Sequence, residues 1–237
     1  MTVDKSNQRV RSMFASIARR YDLMNHVLSM NVDRYWRRRT VRELDLTPGV
    51  PILDVCTGTG DLAFALAKKV QGQAEIIGAD FCRPMLELAE KKKATHPFSE
   101  RTTFVEADAQ SLPFPTDAFH AVTVAFGLRN VADTDQGLAE MTRVCRPGGS
   151  VVVLEFSMPS VQPLKGAYAW YFRSVLPRVG RTLANDPSRA YEYLPESVSQ
   201  FPSGEALAER MRAAGLVEVK ITPMTFGVAS IYHGKKP

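Results

Sequence analysis

Three aspartates at the ends of short apolar runs are the first residues whose type and spacing suggest chemistry. Asp80 lies 26 residues after Asp54, and Asp108 lies 28 residues after Asp80. This repeat is about the length of one strand–helix–strand unit. Parallel strands end at the same edge of a sheet, where ligands bind. The three carboxylates are therefore expected to line one ligand site.

A glycine-rich loop follows Asp54. Gly58 and Gly60 let the backbone adopt a positive φ and let a ligand approach main-chain N–H groups without a Cβ in the way. The helix that begins after them offers unpaired donors and a partial positive charge. Asp80 lies 22 residues after Gly58, the spacing at which an acid accepts hydrogen bonds from ribose hydroxyls. With Ala63, the loop also matches the dinucleotide-binding fingerprint Gly-x-Gly-x-x-Ala. The loop alone therefore fits either a dinucleotide or another nucleotide-like ligand.

Helix and strand patterns alternate along the chain and predict an α/β fold with a Rossmann-like sheet of seven strands. Residues 5–20 carry apolar side chains at helical spacing with arginines opposite. Ser203 is expected to cap a last helix that ends at Gly215, and two strands joined by a turn at Pro223 then close the sheet. The predicted strands are 52–55, 75–80, 103–109, 121–126, 150–156, 216–222 and 226–232.

We expect a single domain, because the chain shows no repeat, linker or low-complexity stretch. Its predicted parts are an N-terminal helical arm (1–47), a cofactor-binding core (48–157), a lid or substrate insertion (158–202) and a C-terminal helix with a strand pair (203–237). The insertion carries an apolar stripe that suits either a lid or ordinary core. The stripe comprises Leu164, Tyr168, Tyr171, Phe172, Val175 and Leu176.

Composition is that of an ordinary globular protein, with 45% hydrophobic and 23% charged residues. The net charge of +5 arises in the first 50 residues, which hold ten Lys or Arg and five Asp or Glu. Such an arm suits nucleic acid, anionic lipid or a solvated helix face. The three cysteines show no paired spacing. The sequence has no Cys/His cluster that would predict a zinc site and no apolar run long enough to predict a membrane span. We therefore expect a cytoplasmic protein.

Two observations favour a methyltransferase over a dehydrogenase. A short-chain dehydrogenase needs a Tyr-x-x-x-Lys pair, which this sequence does not contain. The closing strand pair fits the class I methyltransferase fold, whose last strand is antiparallel. In that fold Asp54 and the Gly58–Gly60 backbone face the amino-acid end of S-adenosylmethionine (SAM), Asp80 binds the ribose, and Asp108 and Ala109 bind the adenine.

Further motifs lie outside this generic cofactor loop, at residues 21–36, 112–115, 125–131, 143–149, 191–197 and 233–235. In these motifs the chain resembles the quinone-biosynthesis C-methyltransferase family, which methylates demethylmenaquinols and polyprenyl benzoquinols. The resemblance implies cofactor contacts from Thr59, Asp80, Asp108 and Ala109. Asp33 stands where the family usually has a histidine, Arg146 replaces a lysine, and Ala125 stands where some members have a serine.

The resemblance also implies catalytic residues. Methylation of a ring carbon requires electron density, which deprotonation of the quinol supplies. Arg129 is the candidate for stabilising the resulting anion, and Asn130 for orienting the hydroxyl or a water; the alternative for both is stabilisation of the loop after the fourth strand. Tyr21, Asp22 and Asn25 are expected to close over the ring. Asp22 and His233 are both candidates for the general base, and the reaction requires no metal.

The implied substrate is a polyprenyl naphthoquinol, with a methoxy-polyprenyl benzoquinol as the alternative. Such a tail lies in a bilayer, so the basic arm and the aromatic stripe are candidates for contact with anionic lipid at the inner membrane face. The stripe also suits a substrate tunnel or a homodimer face. An RNA methyltransferase is the less favoured rival, because no RNA-binding module is recognisable, and no nucleic-acid partner is expected. A catalytically dead scaffold is disfavoured because the glycine loop and its acids are intact.

Overall fold

The computed structural model describes residues 6–159, 162, 166, 168, 170, 171, 174 and 190–237. The helices are α1 (Asn7–Leu28), α2 (Val32–Glu43), α3 (Asp61–Lys69), α4 (Arg83–Lys93), α5 (Thr134–Val144), α6 (Ala190–Gln200) and α7 (Glu205–Ala213). The strands are β1 (Ile52–Val55), β2 (Ile76–Asp80), β3 (Thr102–Glu106), β4 (Phe119–Ala125), β5 (Cys145–Phe156), β6 (Val217–Met224) and β7 (Ala229–Lys235). Short 3₁₀ helices cover Leu128–Asn130 and Thr225–Gly227.

The seven strands form one sheet in the order β3-β2-β1-β4-β5-β7-β6. Strands β1 to β5 pair in parallel, whereas β7 is antiparallel to both β5 and β6. The predicted fold class is thereby confirmed. The strand order reverses between β1 and β4, and the crevice beyond the carboxyl ends of these strands is where such sheets bind ligands. The chain turns sharply at both strand ends, since Cys56 and Phe126 have φ values of 52° and 57°.

The sheet is the middle layer of three. All four residues of β1 are buried, as expected of a strand that is covered on both faces. Side chains of α5 and α7 pack on one face and those of α2 and α3 on the other. The helices thus hold the carboxyl ends of β1 and β4 in fixed positions.

Helix α1 has the predicted buried face, but it extends to Leu28 rather than ending near residue 20. The reason is visible in the sequence, because Met24 and Leu28 continue the helical spacing that begins at Val10. The helix packs against α4 and over the carboxyl edge of the sheet. Its position there makes α1 a wall of the cavities described below.

Two expectations for the C-terminal part are wrong. Pro223 lies inside β6, which tolerates it because β6 is the edge strand, and the turn falls instead at Thr225–Gly227. Gly204 rather than Ser203 is the N-cap of α7, and no side chain caps that helix. Gly215 follows the helix with a φ of 94°, consistent with a glycine just past a helix end.

The aromatic stripe lies mostly outside the described residues. Tyr168 and Tyr171 are described, whereas Leu164, Phe172, Val175 and Leu176 are not. The Tyr171 hydroxyl donates to the carbonyl of Leu28 at 2.8 Å, so this segment meets the end of α1. The assignment of residues 158–202 as a lid, and the other part boundaries, stay predictions. Within the described ranges, no helix is both long enough and apolar enough to cross a membrane.

The turns after β1 and β4 touch so closely that Gly127 has no room for a side chain. A Cβ on Gly127 would overlap the Cβ of Cys56. We expect Gly127→Ala to lower the free energy of unfolding by about 1–3 kcal/mol, as overpacking does elsewhere. Because Cys56 has a positive φ that glycine adopts readily, Cys56→Gly is expected to restore most of the loss. Urea unfolding of both single variants and the double variant measures the coupling, and additive effects would contradict the prediction.

Candidate active site

Two adjoining cavities lie at the carboxyl edge of the sheet, beneath α1. The loop cavity, of about 50 Å³, borders the glycine loop and the ends of β2 and β3. The aromatic cavity, of about 270 Å³, is lined by eight aromatic side chains and by two arginines, Arg37 and the buried Arg129, among others. Phe14, Tyr21 and Phe126 line both cavities and so separate them. The aromatic residues of the larger cavity include Trp36, Phe126, Phe156, Tyr168, Tyr171 and Tyr193.

Asp80 presents an oriented carboxylate to the loop cavity. Its two oxygens accept hydrogen bonds from the backbone N–H groups of Gly58 and Cys82, each at 2.8 Å. Each carboxylate oxygen can accept a further bond, which leaves capacity for ligand hydroxyls. Burial raises the pKa of Asp80 to about 6, against the opposing effect of these main-chain donors. Beside it, a Cβ on Gly58 would meet no described atom within 4 Å, so the space above the loop is open.

Asp108 and Ala109 complete the floor of the loop cavity. Asp108 Oδ1 accepts from the backbone N–H of Gln110 at 2.9 Å and from its side-chain amide at 3.1 Å. These bonds fix the turn after β3. Four of the predicted cofactor residues, Gly58, Asp80, Asp108 and Ala109, are thereby brought together around one cavity.

The other three predicted cofactor residues line neither cavity. Asp54 is buried beneath the loop, where it accepts hydrogen bonds from Thr57 at 2.6 Å and Thr123 at 2.8 Å. Burial raises the pKa of Asp54 to about 7, against these hydrogen bonds. Gly60 is packed against Phe64, since a Cβ added to Gly60 would lie 2.8 Å from the Phe64 ring. Asp54 and Gly60 therefore shape the loop, and their predicted contacts with the cofactor stay predictions.

Thr59 is the third of these residues, and a polar network fastens α1 to it. The Thr59 hydroxyl donates to Asp22 at 2.5 Å, and Lys92 Nζ lies 2.9 Å from the other Asp22 oxygen. Lys92 also donates to Asp61 at 2.5 Å. Asp22 was predicted as a catalytic residue; each of its oxygens has one of these partners and it lines neither cavity, so its catalytic role stays a prediction. Its observed contacts hold α1 over the glycine loop.

Asp33, which replaces the family's usual histidine, is buried in a second part of this network. It accepts from Ser29 at 2.7 Å and from Arg37 at 2.5 Å, and His26 Nδ1 lies 2.9 Å away. Although burial acts to raise it, the bond from Ser29 and the charge of Arg37 hold the pKa of Asp33 below its usual range. Arg37 also reaches Asp61 at 3.8 Å, so the network runs from the start of α2 to α3.

Arg129 lies in the 3₁₀ helix after β4 and lines the aromatic cavity. Its Nη1 donates to Glu155 Oε1 at 2.9 Å and to the carbonyl of Phe126. Its guanidinium carbon lies 5.3 Å from the centre of the Phe156 ring. The buried Nε has no hydrogen-bond partner among the described residues, so the guanidinium keeps an unused donor.

Sequence reasoning gave Glu155 no role. It is almost fully buried, and besides Arg129 Nη1 it accepts from the backbone N–H groups of Phe156 at 2.8 Å and Arg129 at 3.3 Å. Glu155 lies next to the end of β5, so the rule that selected acids at the ends of the other strands would have found it. A buried arginine needs such a partner, because an unpaired charge is costly to bury.

The remaining predicted residues occupy different places. Asn130 lines the loop cavity, and its buried Oδ1 has no hydrogen-bond partner in the described part of the chain. Tyr21 lies at the junction of the cavities, where burial raises its pKa, against the charge of Arg129 and a hydrogen bond with Asn25. His233 lies about 10 Å along β7 from the position opposite Glu155, and it contacts Ser150 at 2.9 Å. It lines neither cavity, and its role as a candidate base stays a prediction.

Comparison with known proteins decides the family. A model of the ubiE/COQ5 methyltransferase family matches residues 1–236. The chain belongs to this family. It is 49% identical to the demethylmenaquinone methyltransferase of Thermus thermophilus, covering 95% of this chain and 100% of that protein. It is 44% identical to the ubiquinone/menaquinone biosynthesis C-methyltransferase UbiE of Geobacter sulfurreducens, covering 98% of this chain and 90% of that protein.

Solved structures show the fold. A SAM-dependent methyltransferase of Thermotoga maritima matches with a TM-score of 0.68 at 19% identity, over 96% of this chain and 100% of that one. Phosphoethanolamine N-methyltransferase 2 of Haemonchus contortus, in complex with SAM, matches with a TM-score of 0.61 at 15% identity. That match covers 85% of this chain and 52% of the nematode protein.

The donor set of the loop cavity fits SAM. Asp80 offers acceptors for two ribose hydroxyls, and the carboxylates and the Asn130 carbonyl oxygen suit a cationic ligand. The cavity is small for this ligand, because ligand pockets usually measure about 300–1,000 Å³. Phe14 and Tyr21 cover it, so we expect these two side chains to move outward when SAM binds.

We expect the affinity for SAM to rise with pH between 5 and 7. The pKa of Asp80 is raised to about 6, and the ionised carboxylate is the stronger acceptor for ribose hydroxyls. If only that form binds, the Kd at pH 5 is about tenfold higher than at pH 7. Calorimetric titration of the parent and of Asp80→Asn tests this. The variant is expected to bind weakly with a flat profile, and a flat profile for the parent would contradict the assignment.

We expect Glu155→Gln to destabilise the protein by about 3–5 kcal/mol, because it leaves Arg129 buried without a counter-charge. The matched control is Glu87→Gln in α4, where the partner Arg83 is exposed and the pair contributes at most about 1 kcal/mol. Urea unfolding measures both. Equal effects of the two substitutions would show that the buried pair does not hold the site together.

Proposed function

We propose that this chain transfers a methyl group from SAM to a ring carbon of demethylmenaquinol, forming menaquinol. The observation that carries the proposal is the buried, partly unpaired Arg129 at the wall of an aromatic cavity that adjoins the loop cavity. Arg37 also lines this cavity, but it is paired with Asp33 and Asp61, whereas Arg129 keeps an unused donor. A largely apolar slot with such a cation suits a flat quinol that ionises during the reaction. The relatives named demethylmenaquinone methyltransferase, at 48% and 49% identity, support the naphthoquinol as substrate.

A polyprenyl benzoquinol of ubiquinone biosynthesis is the alternative substrate. The relative from Geobacter sulfurreducens is named for both pathways, which supports the alternative. The reaction on the benzoquinol ring is the same, and it uses the same residues.

Arg129 raises the fraction of ionised substrate in this proposal. A phenol has a pKa near 10, so about 0.1% is ionised at pH 7. A neighbouring cation lowers such a pKa by about 1–3 units, and a shift of two units gives about 10% anion. Arginine does not deprotonate in proteins, so Arg129 stabilises the anion rather than acting as base. The phenolic proton passes to solvent before methyl transfer. The new C–CH3 bond then forms as the S–CH3 bond of SAM breaks, and the proton on the methylated ring carbon is released to solvent as the ring regains aromaticity.

The other residues position the reactants. SAM supplies an electrophilic methyl group when it is bound in the loop cavity, and the chemistry requires no metal. Asp80, Asp108 and Ala109 hold the nucleoside, while Tyr21, at the junction of the cavities, moves outward so that the methyl group can reach the ring. Phe126 and Phe156, with ring centres 4.5 Å apart, give the quinol flat apolar walls that exclude water. Holding two reactants in line can contribute roughly 7–11 kcal/mol to the rate.

The substrate also determines where the enzyme works. A polyprenyl tail lies in a lipid bilayer, so we propose that the protein acts at the cytoplasmic face of a membrane and meets anionic lipid there. The basic N-terminal part of the chain supports this proposal. A homodimer remains a prediction.

The test is methyl transfer from labelled SAM to a demethylnaphthoquinol and a methoxy-polyprenyl benzoquinol in detergent. Label is expected on the naphthoquinol. In Arg129→Met/Glu155→Gln, which removes both buried charges together, kcat is expected to fall by about 10²–10³, as when one oxyanion donor is lost. SAM binding is expected to persist.

Arg210→Met, at an exposed ion pair, is the control for the loss of an arginine and is expected to keep full activity. Methyl transfer to the benzoquinol alone would assign the enzyme to ubiquinone synthesis. Transfer to neither quinol, with SAM binding intact, would overturn the proposal.

A further inference from the structure

Five large apolar side chains are exposed on segments that also contribute residues to the lining of the aromatic cavity. Met30 is 78% exposed and also lines the cavity, so it marks the opening. Phe226 is 76% exposed, Trp170 is 64% exposed and Leu23 is 63% exposed. Val27, one helical turn after Leu23, is exposed as well. We call these five residues the apolar rim.

Tertiary contacts bring the rim together from three parts of the chain. The Tyr171 hydroxyl donates to the carbonyl of Leu28 at 2.8 Å, which places Trp170 near the end of α1. Trp36 Nε1 donates to Thr225 Oγ1 at 2.7 Å, which places the turn with Phe226 beside α2. Thr225 also lines the aromatic cavity. Trp170 therefore precedes, and Phe226 follows, a residue that lines the cavity, and Met30 lines it itself.

The backbone at the rim is unusual. Met30 has a φ of 52° and Phe226 a φ of 58°, in the left-handed region that bulky residues rarely adopt. Neither side chain is buried in return. A strained backbone that exposes an apolar side chain is a reason to look for a function at that position.

Positive charge flanks the rim. Arg19 and Arg20 precede Leu23 by one helical turn, and Arg34 lies in the first turn of α2, four residues after Met30. All three arginines are exposed. Exposed apolar residues bordered by arginines are typical of surfaces that lie in the headgroup region of anionic bilayers.

We propose that the apolar rim inserts into an anionic lipid bilayer, so that the aromatic cavity opens towards the acyl chains. This rests on the proposed function, because a polyprenyl tail could then reach the site without crossing water. A second copy of the chain is the less suitable occupant. A symmetric dimer through this surface would bring the same positively charged patch of both copies together, and like charges repel.

The experiment is sedimentation with vesicles of phosphatidylcholine and phosphatidylglycerol, without substrate. Leu23→Ser/Phe226→Ser is expected to bind at least about tenfold more weakly than the parent, because two large apolar side chains no longer enter the lipid. Phe98→Ser is the matched control. Phe98 is also exposed, at 41%, and has a φ of 65°, but it precedes β3 at the opposite edge of the sheet. It is expected to bind like the parent.

Further measurements separate the rim from the fold and from the reaction. Thermal unfolding and SAM binding of the double variant are expected to match the parent. Its methyl transfer to a short-tailed quinol in detergent is expected to be unchanged, whereas transfer to a long-tailed quinol in vesicles falls. Arg19→Ser/Arg34→Ser is expected to lose the preference for anionic over neutral vesicles.

Vesicle binding by the double variant equal to that of the Phe98 control would overturn the proposal. So would a parent dimer that dissociates in the double variant while vesicle binding stays unchanged. A parent that binds vesicles but methylates no quinol would overturn the proposed function and leave the rim assignment standing.

Discussion

The buried ion pair between Arg129 and Glu155 is the constraint on which the site depends. Both side chains are almost fully buried, and neither charge could be buried alone without a large cost in free energy. Glu155 also accepts from the backbone of Arg129, so the pair holds the 3₁₀ helix after β4 against β5. Two consecutive residues consequently face two cavities, with Arg129 at the aromatic cavity and Asn130 at the loop cavity.

Helix α1 closes both cavities, and its attachment is electrostatic as well as apolar. Asp22 is held by Thr59 and Lys92, and Lys92 also holds Asp61. Because Thr59 belongs to the glycine loop, movement of α1 is coupled to the loop that is expected to bind SAM. The same helix contributes Tyr21, which lies between the two cavities. Opening for the cofactor and access for the quinol therefore involve one element.

The two ends of the aromatic cavity differ in polarity. Its inner wall carries the guanidinium of Arg129, and its mouth carries the exposed Met30 beside the apolar rim. A molecule with a polar ring and a long apolar tail can satisfy both ends only in one orientation, with the ring inward. This polarity links the ring chemistry to a membrane surface, since the tail leaves the protein where lipid is proposed to begin.

The sequence by itself determined the sheet, the glycine loop and the acids at strand ends, because apolar periodicity and glycine spacing are local properties. It predicted Asp80 and Asp108 at one cavity for that reason. Which of these side chains line the two cavities depends on the tertiary structure. Asp54 lies beneath the loop beside Thr123, Asp22 is bonded to Lys92, and His233 lies about 10 Å along β7 from the position opposite Glu155. Each of these positions depends on a partner about 70 or more residues away, and local periodicity carries no information about such pairings.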